Sequence, residues 1–347
     1  MIKKKVVFII NPTSGTTNKD VMPGLIDKHI DKERYSVDIV FTEYPRHGSI
    51  IAREAAKNGA HIVVAVGGDG TVNEIASSLA ETQTALGIIP CGSGNGLARH
   101  LMLPMNVKGA LEIINIGLIH SLDYGIINDH PFFCTCGMGF DAFISKKFAD
   151  AGKRGPLTYI ENVLREGLKY EPETYELTLD GNEAEPHKAF LISIANASQY
   201  GNDAYIAPQA SMKDGFLDVV IMEPFDLLEA PQVGIDLMNK TLNKSSKIKC
   251  FKAKDIIIKR KEPGVIHYDG DPIEEGNILH AQLRHKAIKM IVNPFADKKR
   301  RQPNMMQSAF SQLFNEINAV RSEVVDGISY PVKQVKTINS YIQSKLG

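Results

Sequence analysis

Three glycine-rich segments, each following an apolar run, limit what this chain can become. They are Asn11-Pro12-Thr13-Ser14-Gly15, Gly67-Gly68-Asp69-Gly70-Thr71 and Gly92-Ser93-Gly94-Asn95-Gly96. The runs that lead into them cover residues 5–10, 61–66 and 85–89, with a fourth run at 35–42. Short unbroken apolar runs suit parallel strands buried on both faces. Helical stretches at 19–32, 47–58 and 71–79, and one after Gly96, complete a βαβα rhythm. That rhythm calls for a parallel sheet with helices on both faces. In such a sheet, ligands bind beyond the carboxyl ends of the strands, where helix N-termini offer unpaired N–H groups and a positive dipole end. Glycines let the backbone come close to a ligand, and three such loops on one edge suit a polyphosphate.

From about residue 122 the texture changes. Candidate strands at 132–136, 175–179, 190–195, 217–222, 255–259, 278–284 and 288–292 come with Asp-Gly turn signals at 180–181, 214–215 and 269–270. Helical patterns at 141–150, 156–168 and 227–239 interrupt them. The expected organisation is an α/β domain over 1–125, a mainly antiparallel β domain over 126–294 and a helical tail over 295–347. Periodicity alone leaves a sandwich and a barrel open for the second domain. The tail begins near Lys298-Lys299-Arg300-Arg301 and has helical periodicity over 305–320. It reads as a helix docked on the body or on a second subunit in a homodimer. The alternative is a membrane-surface helix beside a basic patch.

Lys plus Arg and Asp plus Glu each number 40. No general attraction to nucleic acid is expected, and the one basic cluster lacks interleaved aromatics. With 347 residues, 43% of them hydrophobic, the chain can build two cores. No stretch approaches the roughly 18 apolar residues of a membrane span, so a lipid would be reached from outside the bilayer. The N-terminal apolar run is too short for a signal peptide, which points to the cytoplasm. Cys91, Cys134, Cys136 and Cys250 read as thiols of a reducing compartment rather than as a disulfide framework or zinc site. The Walker A loop, a strand-following G-x-G-x-x-G, the protein-kinase set, G-x-S-x-G and H-E-x-x-H are all missing from the sequence.

Asp69 stands out in its loop. A carboxylate among phosphate-cradling glycines would repel the phosphates, so its presence points to Mg²⁺ or to deprotonation of an attacking hydroxyl. Capping of the helix that starts near Thr71 is the plainer alternative.

Gly67-Gly-Asp-Gly-Thr-Val-Asn-Glu74 resembles the signature of the diacylglycerol kinase–like lipid kinase family, which includes bacterial diacylglycerol kinases and the sphingosine kinases. Asn11–Gly15 resembles the opening of those kinases, and 89–98 resembles their next nucleotide loop, closest in wording to the sphingosine-kinase branch. Asp214-Gly-Phe-Leu-Asp218 and Tyr268-Asp-Gly-Asp-Pro272 resemble two motifs of the family's second domain. The resemblance spans about residues 4–293 in the family's order and leaves out the tail.

The resemblance implies an NAD kinase/phosphofructokinase-like α/β domain, a β-sandwich domain and an active site in the cleft between them. The implied activity is ATP-dependent phosphorylation of the primary hydroxyl of a lipid such as diacylglycerol or a sphingoid base, at the membrane surface. An NAD kinase, or a catalytically silent nucleotide- or lipid-binding regulator, is the alternative. By position, Asn11, Pro12, Thr13, Ser14, Gly15, Thr42, Gly67, Gly68, Asp69, Gly70, Thr71, Val72, Asn73 and Ser93 would line the nucleotide site. Asp271 would accept the hydroxyl proton where many relatives have Glu, with Asp69 or Asp269 sharing the role. The Asp214 side chain, with the backbone carbonyl oxygens of Ser211 and Phe216, would hold a structural Mg²⁺. Asp141 would face the lipid head group, with capping of its own helix as the alternative. Phe132, Phe133, Met138, Phe140, Phe143 and Ile144 are candidate lining for the lipid tail.

Overall fold

The computed structural model describes residues 3–15, 18–151, 170–225 and 229–296. The helical pattern at 156–168 and nearly all of the expected tail, from residue 297 on, lie outside the described residues.

The first part of the chain runs β1 (Lys4–Ile10), α1 (Met22–His29), β2 (Tyr35–Phe41), α2 (His47–Lys57), β3 (Ile62–Gly67), α3 (Asp69–Leu79), β4 (Ala85–Pro90), α4 (Gly96–His100) and α5 (Val107–Ile116). The strands line up β2-β1-β3-β4, and all three pairings are parallel. Right-handed crossovers fix the helix layers. The step from β1 to β2 goes one way across the sheet, and those from β2 to β3 and β3 to β4 go the other. This sets α2 and α3 on the face opposite α1, as the packing of α2 on α3 and of α1 on α5 bears out.

The second part comprises β5 (Ile119–Ile127), β6 (His130–Phe132), β7 (Thr135–Gly139), α6 (Phe140–Ala151), β8 (Glu173–Leu179), β9 (Glu185–Ala189), β10 (Leu191–Ala195), β11 (Leu217–Met222), α7 (Ala230–Asn239), β12 (Ile248–Ala253), β13 (Asp255–Arg260), β14 (Gly264–Tyr268), β15 (Asp271–Glu275) and β16 (Ile278–Ile291). It forms a β-sandwich. One layer is a six-stranded antiparallel sheet, β12-β11-β10-β7-β14-β15. The other is not separate from the parallel sheet. β16 joins β4 and continues through β13, β8 and β9, with β5 and β6 attached, so that one mixed sheet of ten described strands serves both halves.

Three details depart from the sequence reading. The run at 132–136 is cut in two, because the N–H groups of Phe133, Cys134 and Thr135 leave the ladder for the carboxylate of Asp269. The runs at 278–284 and 288–292 are one strand with an irregularity between Arg284 and Ile288. The apolar residues expected to line one lipid pocket divide among three cores. Phe133 lies under the parallel sheet, and Phe132 and Met138 lie inside the sandwich. Phe140, Ile144 and Phe143 pack on the outer face of the six-stranded sheet.

Phe132 is fully buried between the sandwich layers. Removing its ring leaves a cavity that neighbouring strands cannot close. Phe132→Ala is expected to cost about 3–5 kcal/mol, read as a fall in the urea unfolding midpoint at unchanged slope.

Candidate active site

The three glycine-rich loops meet at the carboxyl ends of β1, β3 and β4. Gly15 has φ +68°, and a Cβ there would stand 1.8 Å from the Cys91 carbonyl oxygen, so only glycine fits. A Cβ on Gly92 would stand 2.7 Å from Gly68 Cα, which brings the second and third loops into backbone contact. Asn11 ties the first loop to the second. Its Nδ2 donates to Thr71 Oγ1 at 3.0 Å, and its Oδ1 accepts from the Thr13 N–H and hydroxyl at 3.0 Å each. Ser14 Oγ donates to the Asn11 carbonyl at 3.1 Å. Thr42 follows β2 directly, half-buried, and its N–H donates to the Ile10 carbonyl at 2.9 Å. Pro12, Thr13, Gly70 and Ser93 are exposed along this edge, and Val72 is buried in α3 below it. The residues expected at the nucleotide site are thus brought to one edge.

Asp69 is engaged more fully than the sequence suggests. Its Oδ2 accepts from the Asn95 N–H at 2.8 Å, and its Oδ1 from the Gly96 N–H at 2.7 Å. It therefore caps α4, not its own helix, and latches the third loop onto the second. Burial pushes its carboxyl above the ordinary value, and the two N–H donors and the Arg99 guanidinium pull it back.

Asp269 is likewise committed. Its Oδ1 accepts from the Cys134 and Thr135 N–H groups at 2.7 and 3.1 Å. Its Oδ2 accepts from the Phe133 N–H and from Asn73 Nδ2, both at 2.9 Å. Four donors fill the carboxylate, so it anchors the turn to α3 and has no oxygen left to take a substrate proton.

Asp271 differs from both. It opens β15, and its Oδ2 lies 3.9 Å from the point where a Cβ on Gly70 would stand, across from the N-terminal turn of α3. It is exposed to the cleft. Desolvation, then the charge of Asp69, push its carboxyl up, and His267 pulls it down.

Asp141 is not an open anion. Its Oδ2 accepts from the Tyr200 hydroxyl at 3.0 Å and meets His267 Nε2 at 3.1 Å, and its Oδ1 accepts from the Ala142 N–H at 2.8 Å.

The residues expected to hold Mg²⁺ lie on the turns that lead into β11. Asp214 Oδ2 pairs with Lys252 Nζ at 2.7 Å, and its Oδ1 accepts from the Phe216 N–H at 3.2 Å. Ser211 Oγ accepts from the Lys213 N–H at 3.3 Å. The same Lys252 Nζ lies 3.3 Å from Asp218 Oδ2. A lysine ammonium thus stands at the one carboxylate of the expected set.

Several residues that frame the site escaped the sequence reading. Lys19 is buried just past the first loop, where its ammonium opposes the upward push of burial on the Cys91 thiol. Arg99 Nε donates to the Gly94 carbonyl at 2.9 Å while its Nη1 pairs with Asp203 at 3.3 Å, joining the third loop to the second half. Glu74 caps α2, accepting from the Ser49 N–H at 2.9 Å. Lys19 and Arg99, cations within a few residues of phosphate-type loops, carried the one usable signal.

These roles separate by stability. Asp269→Asn leaves one buried N–H facing an amide N–H₂, a loss of about 1–3 kcal/mol, measurable as a lowered Tm. Asp69→Asn is expected to speed amide hydrogen exchange at Asn95 and Gly96 and to lower Tm as well, because one of those donors loses its acceptor.

Comparison with known proteins agrees with this architecture. Residues 5–127 match the diacylglycerol kinase catalytic domain, and residues 134–292 match the YegS C-terminal NAD kinase beta sandwich-like domain. The "Uncharacterized protein sll0036" of Synechocystis sp. is 30% identical over 252 residues, which is 69% of this chain and 58% of that protein. The "Probable lipid kinase YegS-like" protein of Chromohalobacter salexigens is 31% identical over 243 residues, 68% of this chain and 78% of that one. The crystal structure of a diacylglycerol kinase from Bacillus anthracis str. Sterne shares the fold, with a TM-score of 0.67 at 23% identity over 84% of this chain and 98% of that one. The chain belongs to the diacylglycerol kinase–like lipid kinase family.

Proposed function

We propose that the protein is an ATP-dependent lipid kinase in which Asp271 is the acceptor base. One observation carries the reading. Of the three aspartates at the cleft, Asp69 and Asp269 spend their oxygens on N–H groups, whereas Asp271 faces the N-terminal turn of α3 with its carboxylate open to the cleft. ATP would lie along the loops at 11–15, 67–73 and 92–96, its phosphates toward the helix N-termini. Mg²⁺ would arrive with ATP as part of that substrate. Asp271 would accept the proton of a primary hydroxyl as its oxygen attacks the γ-phosphorus in line. The bond to the β–γ bridging oxygen breaks, and ADP leaves. No described helix is long and apolar enough to cross a membrane, so the lipid would be taken up from the bilayer surface.

The raised carboxyl of Asp271 gives the reading a sign in pH. As a base it must be ionised, so the acid limb of kcat/KM should lie above the ordinary aspartate value of 3.8. For stability the sign reverses. A group with a raised folded pKa contributes stability below its unfolded value and loses it as pH rises through the folded value. At pH 7 the ionised Asp271 is therefore a cost, and Asp271→Asn removes it. This variant should cut kcat by about a hundredfold to ten-thousandfold yet raise Tm at pH 7, with the gain shrinking toward pH 4. Labelled ATP with a panel of diacylglycerol, sphingoid bases and NAD identifies the acceptor. Transfer to NAD alone, or undiminished turnover by folded Asp271→Asn, would overturn the reading.

A further inference from the structure

The glycine-rich loops occupy the carboxyl ends of the parallel strands. At the amino ends lies a cavity of about 570 Å³. Arg53 and Lys57 of α2 and Ser78 of α3 line it, together with His61, which precedes β3, and the 82–84 turn, which precedes β4. β3 is 6 residues long, which sets this cavity about 20 Å from the nucleotide loops.

Its polar groups are unevenly spent. The three hydroxyls donate to backbone carbonyls: Ser78 to Glu74 at 3.3 Å, Thr82 to Leu79 at 2.7 Å and Thr84 to Ala60 at 2.8 Å. Gln83 uses its carbonyl oxygen to accept from Lys289 Nζ, which leaves its amide N–H₂ without a partner among the described residues. The Arg53 guanidinium and the Lys57 ammonium likewise make no hydrogen bond or ion pair there. None of the described residues that line the cavity carries a carboxylate. What it offers a ligand is therefore cationic and amide donors.

Two further cations stand at its edge. Lys4 Nζ lies 3.2 Å from His61 Nε2, and Lys289 reaches Gln83. Burial first, then the charges of Lys4, Arg34 and Lys289, push the His61 imidazole below its ordinary value, with no anion opposing them. The ring is thus neutral at pH 7, with Nε2 accepting from Lys4. The dipole of α2 favours one lysine at its carboxyl end. It gives no reason for Arg53, Lys4 and Lys289 to gather at the same cavity, where like charges repel.

We propose that this cavity is a second anion site that takes a phosphate-bearing solute, gripped by Arg53 and Lys57 and flanked by Lys4 and Lys289. A guanidinium fork beside an ammonium suits the oxygens of a phosphate, and four cations call for more than the single charge of a carboxylate. The volume leaves room for a small organic group beyond the phosphate. A bilayer head group would offer the same chemistry. The choice of a solute rests on the lipid-kinase reading, in which the catalytic cleft meets the bilayer and the amino ends of the strands face away from it.

The probe is inorganic pyrophosphate, added to the full chain at low ionic strength, and the readout is the titration of the His61 ring resonance. That resonance is identified by its loss in His61→Gln. Saturation should raise the His61 midpoint by roughly half a unit to one unit, because a bound anion favours the imidazolium. In Arg53→Gln combined with Lys57→Gln, the pyrophosphate concentration for half the shift should rise about tenfold to a hundredfold. An unchanged concentration in the folded pair, or in both single variants should the pair not fold, overturns the assignment. So does an equal shift from sodium chloride at matched ionic strength, which is screening alone. Pyrophosphate binding that leaves His61 unmoved belongs to the glycine-rich loops and overturns it too. Phosphatidylglycerol vesicles that move His61 where pyrophosphate does not would assign the cavity to a bilayer, against the proposal. Turnover does not enter the test. A His61 shift in a protein that phosphorylates no lipid would keep the anion site and remove the lipid-kinase reading.

Discussion

The carboxylate of Asp269 is the joint on which both halves hang. It takes three successive backbone N–H groups, from Phe133 to Thr135, and the side-chain amide of Asn73 on α3. Those backbone donors would otherwise have continued a strand ladder. Their diversion ends β6, starts β7 in the other sheet, and lets the chain cross from one sandwich layer to the other. A buried carboxylate is costly unless each lone pair finds a donor, and here four do. Because one of the four comes from α3, the turn that carries Asp271 is set against the nucleotide loops by the same group that permits the crossing.

Three aspartates within one cleft show how donors decide chemistry. Asp69 is tied to the N-terminus of α4, Asp269 to a broken strand, and Asp271 to neither. Desolvation raises the proton affinity of all three, so burial cannot tell them apart. Unspent lone pairs can. A carboxylate whose oxygens already accept N–H groups is a structural element with a charge, whereas one open to the cleft can take a proton from a bound alcohol.

The parallel half was legible because each of its strands is an unbroken apolar run ending in small residues, a pattern that local sequence carries in full. The second half was less so. β12 (Ile248–Ala253) carries lysines at 249 and 252, and β15 begins with the Asp-Pro pair just after the Asp-Gly turn, so neither stood among the candidate strands. The break between β6 and β7 had no local signal at all, since its cause lies 136 residues away in Asp269. The loops were found because glycine and proline speak for themselves. What each carboxylate touches was not, because the partners of Asp69 stand 26 and 27 residues on and Asn73 is 196 residues from Asp269. The Lys252 ammonium on Asp214 is a contact of the same kind, distant in sequence and invisible in the motif.

β16 has a kinetic consequence. It is the last strand described, yet it lies beside β4 and pairs along its length with β5, near the middle of the large sheet. As the chain leaves the ribosome, β1 to β4 can assemble early through local crossovers. Their sheet must then wait, with the β4 edge bare, until some two hundred further residues have been made. Such late, long-range closure slows folding and leaves an unpaired hydrophobic edge open to other chains. Synthesis rate and chaperone occupancy, more than final stability, would then govern how much of the protein reaches its folded form.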